Sequence, residues 1–171
     1  MHKKILVTYA SKYGATAGIA EKIAQVLSTD GLSVDLKPAK EARDVTPYGA
    51  VILGSAVYIG GWMKPAAKFL KSNQQALSKI PVWIFSSGPT GEGDALELLE
   101  GWTFPEKLKP IAERIQPREM VIFHGAIEKD KLPAIYKWML KNVKAGMGDF
   151  RDWQAISSWA ESIAAQLQNE Q

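Results

Sequence analysis

The sequence predicts a single α/β domain built on a doubly wound parallel sheet. Three observations carry that expectation. Short apolar runs alternate with segments of helical period, as βαβ units require. Several runs are apolar over four consecutive residues, the mark of strands covered on both faces. The 171 residues, 46% hydrophobic and 23% charged, suit one domain, with no repeat or interdomain linker to divide it.

The strands are read in order. Ile5 to Tyr9 is the first run and Leu32 to Leu36 a weaker second. Ala50 to Leu53, Pro81 to Phe85 and Met120 to Phe123 follow. Helical stripes lie between them. Ile19, Ile23, Val26 and Leu27 form the first, and Pro65, Ala66, Phe69, Leu70 and Leu77 the second, with Pro65 suited to a first turn. Leu132, Ile135, Met139 and Val143 form a third, and Trp153, Ile156, Ala160, Ile163 and Leu167 a fourth. The stretch from Ala39 to Tyr48, with Pro47 and scattered charges, has room for only a short helix.

Composition excludes several chemistries. There are no cysteines, which removes disulfides, thiolate metal sites, iron–sulfur ligation and cysteine nucleophiles. Redox work therefore needs a bound organic cofactor. The two histidines, without carboxylates at ligand spacing, make no metal site. His124 ends the fifth strand, where it reads as a core or edge residue and a minor candidate for proton exchange. A net charge of +3 gives no case for nucleic acid. The N-terminus reads as a strand, not a leader, and no apolar run reaches the ~20 residues that span a bilayer. A cytoplasmic location is expected.

In an open α/β sheet, ligands bind beyond the carboxyl ends of the strands. The first such loop is Ser11-Lys12-Tyr13-Gly14-Ala15-Thr16. Two hydroxyl side chains bracket a glycine that permits a tight turn, and a helix N-terminus behind it offers unsatisfied N–H donors. The same residues also suit a plain helix cap. No G-x-x-x-x-G-K-[ST] or G-x-G-x-x-G motif occurs, and the first strand ends without the acidic residues a magnesium site would need. The pattern describes a pocket for a phosphate monoester.

The second loop, Gly54 to Trp62, sets Ala56, Val57, Tyr58 and Ile59 before two glycines. An aromatic there can stack on a flat ring, and Gly60-Gly61 can let a peptide unit turn toward it. Trp62 equally suits packing beneath the Pro65 helix. The third loop, Ser86 to Asp94, begins with small residues, and the backbone at Ser87, Gly88 and Pro89 can meet the polar edge of such a ring. An ordinary connection is the alternative.

These three segments resemble flavodoxins. Ile135-Tyr136-Lys137-Trp138, Gly148-Asp149 and Asp152-Trp153 narrow the likeness to the flavodoxin-domain family that contains the quinone-dependent protoporphyrinogen dehydrogenase of bacterial haem synthesis. The resemblance implies a three-layer α-β-α, flavodoxin-like fold with a five-stranded parallel sheet in the order 2-1-3-4-5. It implies FMN as cofactor, with its phosphate on Ser11, Lys12, Tyr13, Gly14, Ala15 and Thr16. Ala56, Val57, Tyr58 and Ile59 then flank the ring, and Ser87, Gly88 and Pro89 meet its edge. The chain departs from the haem-pathway enzyme at Tyr58, where that enzyme is basic, in an acidic third loop carrying Glu92 and Asp94, and in a shorter tail.

The expected function is FMN-dependent oxidoreduction, of porphyrinogen or quinone in the specific case. No catalytic side chain is assigned, because the cofactor carries the chemistry. A non-enzymatic electron carrier is the alternative, although such carriers are usually strongly acidic. The expected partner is a small-molecule or quinone electron acceptor, or else a redox protein. The segment from Leu132 to Lys144 gathers Lys137, Lys141 and Lys144 opposite its apolar stripe. It either packs on the sheet with solvated lysines or lies on an anionic membrane surface.

Overall fold

A computed structural model of the chain describes residues 3–135 and 146–170. Its first strand, β1 (Lys4–Ala10), leads into α1 (Ala15–Thr29) and returns as β2 (Val34–Pro38). β3 (Tyr48–Tyr58) turns back as the two-residue β4 (Gly61–Trp62) and then enters α2 (Lys64–Leu77). β5 (Val82–Ser87), the short α3 (Ala95–Leu98), α4 (Lys109–Ile115) and β6 (Glu119–Phe123) follow. A small antiparallel pair, β7 (Ala126–Ile127) with β8 (Gly148–Asp149), precedes α5 (Trp153–Asn169).

The main sheet runs β2-β1-β3-β5-β6 with every one of these pairings parallel. Counting the five main strands in chain order, this is the 2-1-3-4-5 order of the sequence analysis. In register, Val7 lies beside Leu36 and Ile52, and Leu53 beside Ile84. β1, β3 and β5 therefore end at one edge, where the three candidate loops emerge.

Alternation of side chains along the strands divides the apolar interior in two. Leu6, Val51, Leu53 and Ile84 face Phe69, Leu70 and Leu77 of α2 and Ile115 of α4. Val7, Ile52, Trp83 and Phe85 face Ile19 and Ile23 of α1 and Ile156 and Ile163 of α5. The apolar stripes read for α1, α2 and α5 largely face the sheet, with Trp153 at the start of α5 left 39% exposed. Among the described residues, no helix is long and apolar enough to cross a membrane.

Several boundaries differ from the sequence reading. The crossover from β2 to β3 contains no helix. Asp44 accepts bonds from the Thr46 N–H (2.9 Å) and hydroxyl (2.8 Å), offering the backbone a local turn in place of a helical one. Helix α4 is absent from the sequence reading, because Pro110 and its seven residues leave little periodic signal. The second loop starts later than expected. Gly54 and Ser55 belong to β3, and a Cβ on Gly54 would lie 2.0 Å from Cζ of Phe85, so glycine is demanded there by packing. Ser55 is fully buried and its hydroxyl accepts the Met63 N–H at 3.1 Å. Of the third helical stripe, Leu132 is half-buried and Ile135 is 66% exposed. Residues 136–145, with most of the expected basic amphipathic helix, lie outside the described residues.

Candidate functional site

The first loop is organised by its own side chains. Ser11 Oγ accepts the Gly14 N–H at 3.1 Å, and Gly14 takes a left-handed φ of +94° that the absence of a Cβ makes inexpensive. Among the described residues, no side chain caps α1, and no acidic residue occupies its first turn. The other designs are visible in the same chain. Asp94 caps α3 by accepting from Leu96 and Glu97, and Asp152 caps α5 by accepting from Ala155. The first-turn N–H groups of Ala15, Thr16 and Ala17 thus keep the donors and the positive dipole end that an anion uses. The position of a Gly14 Cβ has nothing within 4 Å. Thr16 is buried at 1% exposure in this first turn, while Ala15 is half-buried. A pocket of about 300 Å3 opens beside the loop, bounded by Ser11, Gly14 and Ala17 and by Pro38, Lys40 and Pro65. Tyr9 also lines it, and burial is the main cause that raises its phenol pKa above the ordinary value.

Lys12 joins the first loop to the second. Its Nζ lies 5.3 Å from the Tyr13 ring centroid and 5.9 Å from that of Tyr58. Tyr58 is 45% exposed, Ala56 is buried and Val57 half-buried. Ile59 and Gly60 form the tight turn between β3 and β4, with φ of +48° and +69°. Positive φ at both central positions matches the twist of a two-residue hairpin, but the first is occupied by a β-branched residue with its side chain in solvent. The Gly60 carbonyl, free to turn in the sequence reading, accepts the Trp102 indole N–H at 2.9 Å. Trp62 takes the packing role of the two read for it. It meets Phe104 edge to face at 5.0 Å and donates to Ser86 Oγ at 2.9 Å.

The third loop leans on the second and on the chain that follows β6. A Cβ on Gly88 would stand 3.0 Å from Val57 Cβ. Gly88 N–H donates to the Phe123 carbonyl, and the Pro89 carbonyl accepts from Gly125. Ser87 and Pro89 are buried. The Thr90 carbonyl accepts from Gly146, and the Gly93 carbonyl lies 2.8 Å from His124 Nε2. Here the backbone is spent in part on holding the loop itself.

One charged residue beside the first loop is unassigned in the sequence reading, where it lies between Gly148-Asp149 and Asp152-Trp153. Arg151, whose side chain is 12% exposed, makes a fork with Asp149: Nε to Oδ1 at 2.9 Å and Nη2 to Oδ2 at 2.7 Å. Its remaining Nη1 donates to the Ala15 carbonyl at 3.2 Å, and its guanidinium lies 4.6 Å from the Trp153 ring centroid. The hydrogen bond from Arg151 holds the Asp149 carboxyl below the usual range, and the same bond raises the guanidinium. Gly18 makes room, since a Cβ there would sit 2.6 Å from Nη1. The Gly-Asp step and the Asp-Trp helix start were visible in sequence, but nothing local pointed them at α1.

A sequence profile described as the flavodoxin domain matches residues 6–154. Solved structures share the fold. A flavodoxin from the domain Archaea has a TM-score of 0.62 at 15% identity, covering 96% of this chain and 99% of its own. Oxidised flavodoxin 2 from Bacillus cereus has a TM-score of 0.58 at 23% identity, covering 95% and 99%. A flavodiiron core from Synechocystis has a TM-score of 0.64 at 16% identity, covering 99% of this chain but 37% of its own. No curated protein matches the chain significantly.

Proposed function

The chain belongs to the flavodoxin domain family, and from that premise we propose that it is an FMN-dependent oxidoreductase. Proteins of this family bind FMN. The residues present fit the group. The observation that carries the reading is the uncapped, acid-free N-terminus of α1 behind the Ser11–Gly14 turn, which offers a doubly charged phosphate both donors and dipole. Ser11 sets the turn, and the N–H groups of Ala15, Thr16 and Ala17 would hold the phosphate. Tyr58 and Ile59 would cover the ring, and Trp102 fixes the Gly60 carbonyl in the turn that follows them. Bound flavin supplies the hydride and electron chemistry; the chain supplies binding, orientation and shielding from water.

The finer reading is transfer of two electrons from a reduced organic donor to a quinone or another small acceptor. Porphyrinogen is the donor that the Gly148-Asp149 and Asp152-Trp153 likeness supports. A net charge of +3 favours this over a pure carrier, which would usually present an acidic docking face.

The test is a visible spectrum and FMN titration of the purified protein. We expect one FMN per chain, and loss of binding in Thr16→Glu, which puts a carboxylate in the phosphate turn. Retained binding in a folded Thr16→Glu protein overturns the phosphate assignment. Anaerobic reduction with protoporphyrinogen and reoxidation with quinone then tests the finer reading. A titration in two resolved one-electron steps, with no turnover of either compound, favours the carrier.

A further inference from the structure

A larger cleft of about 700 Å3 lies between the β2–β3 crossover and α2, sharing Lys40 and Pro65 with the pocket beside the phosphate loop. Its rim carries Lys40, Arg43, Lys64 and Lys68, and no acidic residue lines it. The local geometry explains the gathering. The Pro38 carbonyl accepts the N–H groups of Glu41 at 2.9 Å and Ala42 at 3.2 Å, curling the chain so that Lys40 and Arg43 share one wall. On α2, Lys64 and Lys68 follow each other at i, i+4 and form the facing wall. Buried Ala42 and Phe69 supply an apolar floor.

Four like charges around one hollow repel each other. Among the described residues, none of the four takes part in an ion pair; the pairs present use Lys4, Lys37, Lys109, Arg118, Lys131 and Arg151 instead. Asp44, one residue beyond Arg43, has both carboxylate oxygens bonded to Thr46. The charge is thus left for something outside the chain. The cleft has the volume of an ordinary small-molecule site, in the range of roughly 300–1,000 Å3.

We propose that this cleft binds a small polyanion, a molecule with at least two phosphate or carboxylate groups on an apolar body. The basic rim meets the anionic groups and Phe69 with Ala42 meets the body. The proposal rests on the cleft alone and holds whether or not the flavin reading does.

The probe is pyrenetetrasulfonate, followed by fluorescence anisotropy on the FMN-loaded and FMN-free protein. We expect saturation at one probe per chain in both, weakened by added salt. Tripolyphosphate and benzenehexacarboxylate, added separately, show whether phosphate or carboxylate displaces it better. The Lys64→Gln/Lys68→Gln variant should bind at least tenfold more weakly while keeping its FMN affinity. Lys79→Gln/Lys107→Gln, an equal charge change away from the cleft, should bind normally. Displacement of the probe by FMN, equal weakening in both double variants, or no saturation overturns the proposal. So does tighter competition by polyglutamate than by any small anion, which would make the cleft a protein-docking face.

Discussion

Arg151 Nη1 donates to the Ala15 carbonyl across 136 positions of sequence, at 3.2 Å. The bond ties the segment before α5 to the first turn of α1, directly after the Ser11–Gly14 turn. The guanidinium is oriented for it by the two-bond fork to Asp149. Arg151→Met breaks all three bonds while keeping the stem that lies near Trp153. We expect a stability loss of about 1–3 kcal/mol by urea unfolding at neutral pH, and weaker FMN binding. Arg151→Lys should recover only part, since an ammonium cannot reproduce the fork. An unchanged unfolding midpoint in Arg151→Met would show that the bond holds nothing.

Among the described residues, four carboxyls are held below their ordinary range by hydrogen bonds. Asp149 is held by Arg151, Asp35 chiefly by the Tyr48 hydroxyl, Asp44 by the Thr46 backbone and Glu170 by Arg118. A carboxyl lowered on folding stabilises the fold above its unfolded pKa, near about 4, and that contribution disappears as pH falls through the folded value. Urea midpoints should therefore drop as pH falls below about 4. Arg151→Met removes the first of these contributions, so its curve should be shallower on the acid side. Parallel curves for the two proteins would contradict the assignment.

Thr8 lies in β1 on the face of Leu6 and Ala10, fully buried, with a hydroxyl that has no hydrogen-bond partner among the described residues. Valine has nearly its shape without the unsatisfied group. Thr8→Val should stabilise the protein by about 1 kcal/mol, seen as a higher melting temperature. A lower one would reveal a partner for the hydroxyl.

Ile59 holds φ of +48° with its side chain in solvent, so the fold gains no packing from it. Asparagine accepts this backbone readily, and Ile59→Asn should add about 1 kcal/mol of stability. If isoleucine is there to cover the flavin, the same change should raise the Kd for FMN or speed flavin loss. Gained stability with unaltered FMN binding would remove Ile59 from the site.

Much of the fold was legible because buried parallel strands leave unbroken apolar runs. Ile5, Leu6 and Val7, or Val82 to Phe85, can hardly be read otherwise. Errors arose where packing overrode local signals. Gly54, Ser55, Ser86 and Ser87 look like loop residues but complete strands, because the Phe85 ring covers Gly54 and the hydroxyls of Ser55 and Ser86 receive the Met63 N–H and the Trp62 indole. The turn before α1 was legible from spacing, as Ser11 and Gly14 are three residues apart and bond to each other. Arg151 with Ala15 and Trp102 with Gly60 were not, since pairs so distant in sequence leave no periodicity to read.

The sheet is a wall between two apolar rooms that, among the described residues, share no side chain. Leu70 and Ile163 stand on opposite sides of it, in separate clusters. Shrinking either should cost its own amount, and the double variant should cost close to the sum. A protein engineer can then redesign one side for ruggedness while leaving the other, with α1 and the turn it carries, untouched.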